Sequence, residues 1–326
     1  MVEIFKSINE REMNGKQLHK VKKTEGISDD CWIDMYSPTE QEIEEVVNTL
    51  GIPDEFVRDS LDEEERPRID YDEDTDSILV IVDVPYTRRE QSISKYETTP
   101  LGIIITRKNV ITVSLHKTAV LEPFKNNRVK DLVLNYRTRF VLLILLNVAK
   151  DYLRLLRYID KNLDLTASNL QKGIKNEDLY EIMEISKTLV YFTTSLKSDE
   201  AVIDKLIRGR RLKKYNEDEE LLDDVMIEFR QAHEMSEIYT NIVNNTQEAY
   251  SSIINNNMNV VMKVLAAATI IMEIPNIFTS FFGQNCPMPW DEGFKSNPLP
   301  FICITVFCIA TIVVSTWFMK RKGLLK

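Results

Sequence analysis

The stretch Leu299–Met319, which reads LPFICITVFCIATIVVSTWFM, decides the architecture of this chain. It carries no charged residue, and at a rise of 1.5 Å per residue a helix of this length crosses a hydrocarbon core about 30 Å thick. A second apolar stretch, Val264–Phe282 (VLAAATIIMEIPNIFTSFF), contains one charge, at Glu273. We therefore expect two transmembrane helices and an integral membrane protein with most of its mass outside the bilayer.

The charges beside the two spans predict their orientation. Lys263 precedes the first span, and the basic run Lys320–Lys322 follows the second, whereas the loop between them carries the acids Asp291 and Glu292. Because cytoplasmic loops are enriched in Lys and Arg, both termini are expected in the cytoplasm of a multi-pass protein of the cell (inner) membrane. The first residues contain no apolar signal-peptide core, which agrees with this orientation.

The overall composition narrows the function classes. The chain has 326 residues and a formal net charge of −10, which disfavours nucleic acid as a partner because a nucleic-acid surface needs a basic excess. The cysteines show no C-x-x-C spacing and the three histidines are scattered, so neither a zinc site nor a disulfide framework is indicated. The sequence shows no G-x-x-x-x-G-K-[ST] loop and no nucleophile–base pair. We therefore do not expect an enzyme.

Residues 1–123 have the pattern of a cytoplasmic α/β domain. Ser37 is predicted to cap a helix that ends at Gly51, and a second short helix is predicted over 53–62. Short β-rich runs, separated by Pro and Gly, predict strands at 77–84, 102–106 and 109–115. Strands mixed with helices indicate the α/β class.

The middle of the chain has a different sequence pattern. No proline lies between Pro123 and Pro275, and apolar residues recur at helical spacing, which predicts a helical hairpin that turns near Gly173. The next predicted helix, from Asn216 to Phe282, is about 100 Å long and is predicted to be a stalk that enters the membrane. The predicted segments are an α/β domain (1–123), a hairpin (124–209), a stalk (210–263), the first span (264–282), an extracytoplasmic loop (283–298), the second span (299–319) and a basic tail (320–326).

Several short motifs follow one another along the chain, namely Cys31–Thr39 (CWIDMYSPT), Arg66-Pro67-Arg68, Met258–Leu265 (MNVVMKVL), Pro275, Gly283-Gln284-Asn285, the second span and Lys320–Lys322. In this order and spacing they resemble the CorA family of magnesium transporters. The resemblance covers essentially the whole chain. It implies a homopentamer whose subunits each have an α/β/α cytoplasmic sandwich, a long stalk helix that continues into a pore-lining first span, and an outer second span.

One face of the first span is predicted to line the pore. A carboxylate that faces lipid is costly, so Glu273 is expected to face protein or water. The resemblance places its face at the pentamer axis, where five Glu273 side chains would form a ring that attracts divalent cations. A protonated or hydrogen-bonded contact between helices is the alternative role for Glu273. The family commonly carries an apolar gating residue near this position, so the acid is a departure from the family, and Met262 and Leu265 are the candidates for an apolar gate at the cytoplasmic side. The predicted pore-lining set is Asn259, Met262, Leu265, Ala266, Thr269, Glu273, Ile277 and Ser280.

The end of the first span is the predicted selectivity filter. The resemblance assigns this role to Gly283, Gln284 and Asn285, with Gln284 in place of the family's methionine. Gly283 allows a tight turn, including one with positive φ. Neutral oxygens here suit the water shell of Mg²⁺, which gives up water reluctantly. Asp291 and Glu292 are predicted either to concentrate cations at the entrance or to form a solvated turn.

The resemblance also predicts a regulatory Mg²⁺ site in the stalk. Asp224, with Asp223 beside it, lies where the family carries an acidic residue that pairs with an acid of the neighbouring subunit. Asp83 is the predicted partner acid. Bound metal would hold the ring closed and so limit uptake. An ordinary solvated acidic turn of helix is the alternative for this pair.

Three functions are compatible with the sequence. The first is channel-like uptake of Mg²⁺, driven by the membrane potential. In this case Mg²⁺ is both the transported and the regulatory ion. The second is transport of Zn²⁺, Co²⁺ or Ni²⁺, with proton coupling through Glu273. The third is a non-conducting, metal-sensing scaffold of the same fold, suggested by the departures at Glu273 and Gln284.

Overall fold

The computed structural model describes residues 1–11, 17–87, 96–129, 132–170, 176–209, 216–283 and 299–323. The chain forms two compact units, Met1–Thr246 and Gln247–Lys326. The strands are β1 (Val2–Arg11), β2 (Gln17–Thr24), β3 (Cys31–Tyr36), β4 (Arg68–Asp72), β5 (Ser77–Thr87), β6 (Tyr96–Ile105) and β7 (Val110–Ser114). The helices are α1 (Glu40–Leu50), α2 (Asp54–Asp59), α3 (Glu122–Lys125), α4 (Arg137–Leu170), α5 (Asn176–Arg208), α6 (Asn216–Phe282) and α7 (Leu299–Arg321).

The first unit is built on one seven-stranded mixed sheet with the order β2-β1-β3-β7-β6-β5-β4. Strands β3 and β7 are parallel, and the other neighbouring pairs are antiparallel. The predicted strands at 77–84, 102–106 and 109–115 correspond to β5, the end of β6 and β7. Strands β1 and β2, which have many charged residues, were not predicted.

Helices cover both faces of this sheet. Successive side chains of a strand point to opposite faces, and β3 shows this directly. Ile33 and Met35 pack with residues of α1 and α2 in a buried apolar cluster. Trp32 lies on the other face, where its ring contacts Phe124 of α3 and Phe140 of α4. The α/β/α sandwich expected from the resemblance is therefore confirmed.

The first helix begins at a different cap from the predicted one. Thr39, not Ser37, is the N-cap of α1, and Thr39 and Glu42 form a reciprocal capping box. Ser37 has a φ of 39°, so it lies in the left-handed region and not in the extended conformation that an N-cap takes. The predicted end is confirmed, because Gly51 has a φ of 63° and donates its N–H to the Val47 carbonyl at 2.8 Å.

Three long helices follow the sheet. Helices α4 and α5 pack together, with Tyr152 and Phe192 in an edge-to-face contact whose ring centroids are 5.0 Å apart, and the predicted turn near Gly173 lies outside the described residues. Helix α6 is continuous over Asn216–Phe282, as predicted for the stalk. Its first part buries one stripe within the first unit, formed by Leu222, Val225, Phe229 and Ala232.

Candidate functional site

Helices α6 and α7 are long and apolar enough to cross a membrane. The windows that meet this test lie in the ranges Asp218–Phe281 and Ile302–Arg321, and little of either window is buried inside the protein. In the second unit, Phe278 of α6 and Phe307 of α7 pack edge to face, with ring centroids 4.9 Å apart. The two predicted spans are therefore a packed pair of helices.

The contact with α7 defines two sides of α6. The least exposed residues around Phe278 are Ala267, Ile271, Ile274 and Pro275, which share its helix face at 3/4 spacing. With 3.6 residues per turn, the predicted pore-lining residues lie on the other side of the helix. All of these residues are exposed in the single chain. The set consists of Asn259, Met262, Leu265, Ala266, Thr269, Glu273, Ile277 and Ser280.

A polar pair occupies the middle of this exposed side. The Asn276 side-chain Nδ2 donates to Oε1 of Glu273 at 3.5 Å, and both residues are exposed. The Thr279 hydroxyl donates to the backbone carbonyl of Asn276 at 3.1 Å. Sequence reasoning missed Asn276, although its position three residues after Glu273 is a signal, because residues at i and i+3 are neighbours on a helix.

The end of the first span is helical up to the glycine. The Gly283 N–H donates to the Thr279 carbonyl at 2.9 Å, and the φ of Gly283 is not in the left-handed region, so the positive φ that a glycine allows is not used at this residue. A Cβ at Gly283 would lie 3.1 Å from that carbonyl oxygen. Four further predicted residues lie outside the described residues, namely Gln284, Asn285, Asp291 and Glu292.

The predicted regulatory acids occupy two different environments. Asp223 and Asp224 are exposed on α6. Asp83, on β5, instead takes part in a hydrogen-bonded cluster within its own chain, in which the Ser195 hydroxyl donates to its Oδ2 at 2.5 Å and its backbone N–H donates to Asp199 Oδ1 at 2.9 Å. Within the described ranges, three or more His, Cys, Asp or Glu side chains are nowhere grouped to hold a metal ion.

Burial changes the titration of the cluster around Asp83. Asp199 is fully buried, and burial together with the nearby Asp83 charge raises the pKa of Asp199 well above its ordinary value. Burial also raises the pKa of Asp83, and the hydrogen bond from Ser195 opposes this shift. These contacts bind β5 to α5 and favour a structural role for Asp83.

The motif residues Trp32, Asp34 and Arg68 also have structural roles. The Trp32 indole N–H donates to the Thr112 hydroxyl at 2.9 Å, and that hydroxyl donates to Asp34 at 2.7 Å. Arg68 forms ion pairs with carboxylates that include Asp59 at 2.7 Å. The motifs near the start of the chain therefore hold the α/β domain together.

The fold and these helices define an integral membrane protein with a large α/β domain and a polar side on one of two apolar helices. The chain belongs to the family described as CorA-like Mg2+ transporter protein, whose model matches residues 28–321. It is 28% identical over 299 residues to the cobalt/magnesium transport protein CorA of Methanocaldococcus jannaschii, and the match covers 90% of each chain.

Solved structures have the same fold. The complete structure of the CorA magnesium transporter from Methanocaldococcus jannaschii matches with a TM-score of 0.81 at 24% identity, covering 100% of this chain and 99% of that one. The soluble domain of CorA from the same organism matches with a TM-score of 0.65 at 26% identity, covering 76% of this chain and 95% of that one. The expected CorA-like architecture is therefore confirmed.

Proposed function

We propose that this protein is a channel-like transporter that carries divalent cations across the membrane, with Mg²⁺ as the main substrate. The observation that carries this proposal is the polar side of the last part of α6, where Glu273 and Asn276 are exposed within the apolar stretch 264–282. Polar and ionisable groups in a membrane helix are tolerated where they face protein or a water-filled path. Membership of the CorA-like Mg2+ transporter family supports a cation as the substrate of that path.

The membrane potential is sufficient to drive this transport. Each elementary charge that moves inward gains about 2.3 kcal/mol per 100 mV, and a dication gains about twice as much. Transport in this form needs no nucleotide hydrolysis, and the sequence offers no Walker-type phosphate loop. The protein is thus a passive conduit and not an enzyme.

The path requires several copies of the chain. One α6 helix cannot enclose a pore, and its polar side must be covered by protein or water within the bilayer. A ring of five subunits places the α6 helices around the axis and the α7 helices outside, with both termini in the cytoplasm. Gly283, Gln284 and Asn285 then form the outer filter, and Asp291 and Glu292 attract cations to it.

Cytoplasmic metal regulates the path in this proposal. The exposed carboxylates of Asp223 and Asp224 face a neighbouring subunit in the ring, where a bridging Mg²⁺ offsets their repulsion and favours the closed state. The partner acid is on the neighbouring chain. Asp83 is a poor candidate for that partner, because its carboxylate is largely buried and already accepts a hydrogen bond from Ser195 of its own chain.

Ion flux into liposomes that contain the purified full-length protein tests the proposal. With a Mg²⁺-sensitive dye inside and a negative-inside potential, wild type is expected to take up Mg²⁺, and Asn285→Ala is expected to lose this uptake. Liposomes without protein and wild type without a potential are the controls. Absence of uptake of any divalent ion would overturn the transport proposal and favour a metal-sensing scaffold.

Co²⁺ is the second candidate substrate. The relative from Methanocaldococcus jannaschii is named a cobalt/magnesium transport protein, so both ions belong in the assay. Zn²⁺ and Ni²⁺ in parallel, with and without a pH gradient, test whether Glu273 couples transport to protons. Uptake of these ions that needs the gradient, without Mg²⁺ uptake, would replace the main proposal with this one.

A further inference from the structure

The hydrogen bond between Asn276 and Glu273 lies where an ion path requires control of charge. Asn276 Nδ2 donates to Glu273 Oε1 at 3.5 Å on the side of α6 that is turned away from Phe278 and its contact with α7. The two side chains are one helical turn apart, and both are exposed in the single chain. A carboxylate and its donor are therefore available together on the proposed path.

The chemistry of the pair suits a hydrated cation. Asn is neutral, so it restrains the Glu273 carboxylate without cancelling its charge, as Lys or Arg would. An N–H that donates to one carboxylate oxygen leaves the remaining lone pairs free to accept from water around an ion. Rings of carboxylates select cations in channels, and a fixed carboxylate attracts a dication more strongly than a monovalent ion.

We propose that Asn276 is a positioning residue that holds the Glu273 carboxylate toward the ion path, and that the pair sets the preference for doubly charged over singly charged cations. The inference rests on the proposed transport function and adds a specificity determinant to it. Without the amide, the flexible Glu273 side chain samples rotamers that point along or away from the path, and the ring loses part of its field.

A double-mutant cycle in liposomes tests this inference with the full-length protein. Mg²⁺ and Na⁺ fluxes are measured for wild type, Glu273→Gln, Asn276→Ala and the double variant. Glu273→Gln is expected to lower the ratio of Mg²⁺ to Na⁺ flux about tenfold, and Asn276→Ala to raise the half-saturating Mg²⁺ concentration about threefold with a smaller effect on maximal flux. The double variant is expected to match Glu273→Gln alone, because the amide acts through the carboxylate.

Two further variants separate positioning from folding. Asn276→Gln keeps an amide donor and is expected to bring the half-saturating Mg²⁺ concentration part of the way back to the wild-type value. Thr316→Ala removes a hydroxyl of α7 that donates to the Ile312 carbonyl, and it is expected to behave as wild type. Oligomer size and melting temperature in detergent are measured for every variant, so that a misfolded protein is recognised.

The outcomes are distinct. If wild type conducts but Asn276→Ala equals wild type, or if the two substitutions add independently, the positioning role of Asn276 is wrong and the transport function stands. If wild type conducts and Glu273→Gln keeps the full Mg²⁺ preference, Glu273 is not the specificity determinant. If wild type carries no ion, the proposed function fails and this inference fails with it.

Discussion

The carboxylate of Asp199 on α5 accepts a hydrogen bond from the backbone N–H of Asp83 on β5, with a distance of 2.9 Å between Oδ1 and N. The register between β4 and β5 ends at Ile81, so this N–H lies beyond the last residue pair of the two strands. The Tyr152 hydroxyl of α4 donates to the carbonyl of the same Asp83 at 3.2 Å. Side chains of two helices thus replace the missing neighbour strand and satisfy backbone groups that would otherwise be unpaired.

This arrangement predicts that the α/β domain loses stability as the pH rises above the ordinary carboxyl pKa. The raised pKa of Asp199 means that the folded state retains a proton that the unfolded chain releases near the ordinary carboxyl pKa. The stabilising contribution is complete below that ordinary value and is lost as the pH rises through the raised pKa. Thermal unfolding of the full chain in detergent, followed over a pH series, is expected to give a melting temperature that falls as this proton is lost.

Substitution of Asp199 provides the control for this prediction. Asp199→Asn keeps an oxygen acceptor for the Asp83 N–H and cannot ionise, so its melting temperature is expected to change less with pH than that of wild type. Asp199→Ala leaves the N–H unpaired and is expected to cost about 1–3 kcal/mol at a pH below the raised pKa of Asp199, where the wild-type contribution is still present. A wild-type melting temperature that rises with pH over the same range would contradict the assignment.

Gly102 gives a second prediction about the same sheet. A Cβ at this position on β6 would lie 1.9 Å from Oγ and 2.4 Å from Cβ of Ser60, at the end of α2. Gly102→Ala is therefore expected to destabilise the domain by about 1–3 kcal/mol through overpacking. Chemical denaturation measures this loss in the free energy of unfolding.

The Gly102 contact also predicts its own rescue. Ser60→Gly removes both conflicting atoms, so the double variant is expected to regain part of the stability lost in Gly102→Ala. The single variant Ser60→Gly serves as the reference, because it loses the hydrogen bond from the Ser60 hydroxyl to the Phe56 carbonyl. Purely additive effects of the two substitutions would show that the close approach does not limit the stability.

The sequence predicted the parts of this fold that carry strong local signals. Long apolar spans and a proline-free helical region leave little choice of structure, and α6 has the predicted bounds. Strands β1 and β2 were missed because their cross-strand neighbours include polar pairs such as Lys6 and Lys22, which hide the apolar alternation around Phe5. Phe5 is nevertheless buried and stacks on Trp32, with ring centroids 4.8 Å apart.

The sequence predicted less of the candidate site. Helical spacing grouped the predicted pore-lining residues, but it left out Asn276, because it continued from Glu273 to Ile277 at i+4 and not to Asn276 at i+3. The environment of Asp83 depends on Ser195 and Asp199, which are distant in sequence and meet it only through the packing of α5 on the sheet. The choice of Thr39 over Ser37 as the cap also depends on backbone conformation, which residue type alone does not determine.

Asp224 supplies a prediction about regulation. Because its carboxylate is exposed on α6, Asp224→Asn is expected to leave the fold intact and to weaken inhibition of flux by internal Mg²⁺. The internal Mg²⁺ concentration that gives half-inhibition is expected to rise about tenfold, which is within the range of typical coupling free energies between two sites. Flux into liposomes preloaded with increasing Mg²⁺ measures the change. Glu220→Gln, at an exposed acid of the same helix, is the matched control, and an equal effect of both substitutions would mean that only general charge matters.

The apolar residues on the exposed side of α6 predict the position of the gate. Leu265 is 66% exposed in the single chain and lies on the side away from the contact of Phe278 with α7, so in a ring its apolar side chain would narrow and dry the path. Leu265→Asn is expected to hydrate this constriction and to raise the resting flux about tenfold. A tenfold rise corresponds to a barrier that is lower by about 1.4 kcal/mol. Val264→Thr, at a neighbouring exposed position on a different side of the helix, is the control and is expected to keep the resting flux low. Equal leaks from both variants would place the gate elsewhere, and Met262 would be the next position to test.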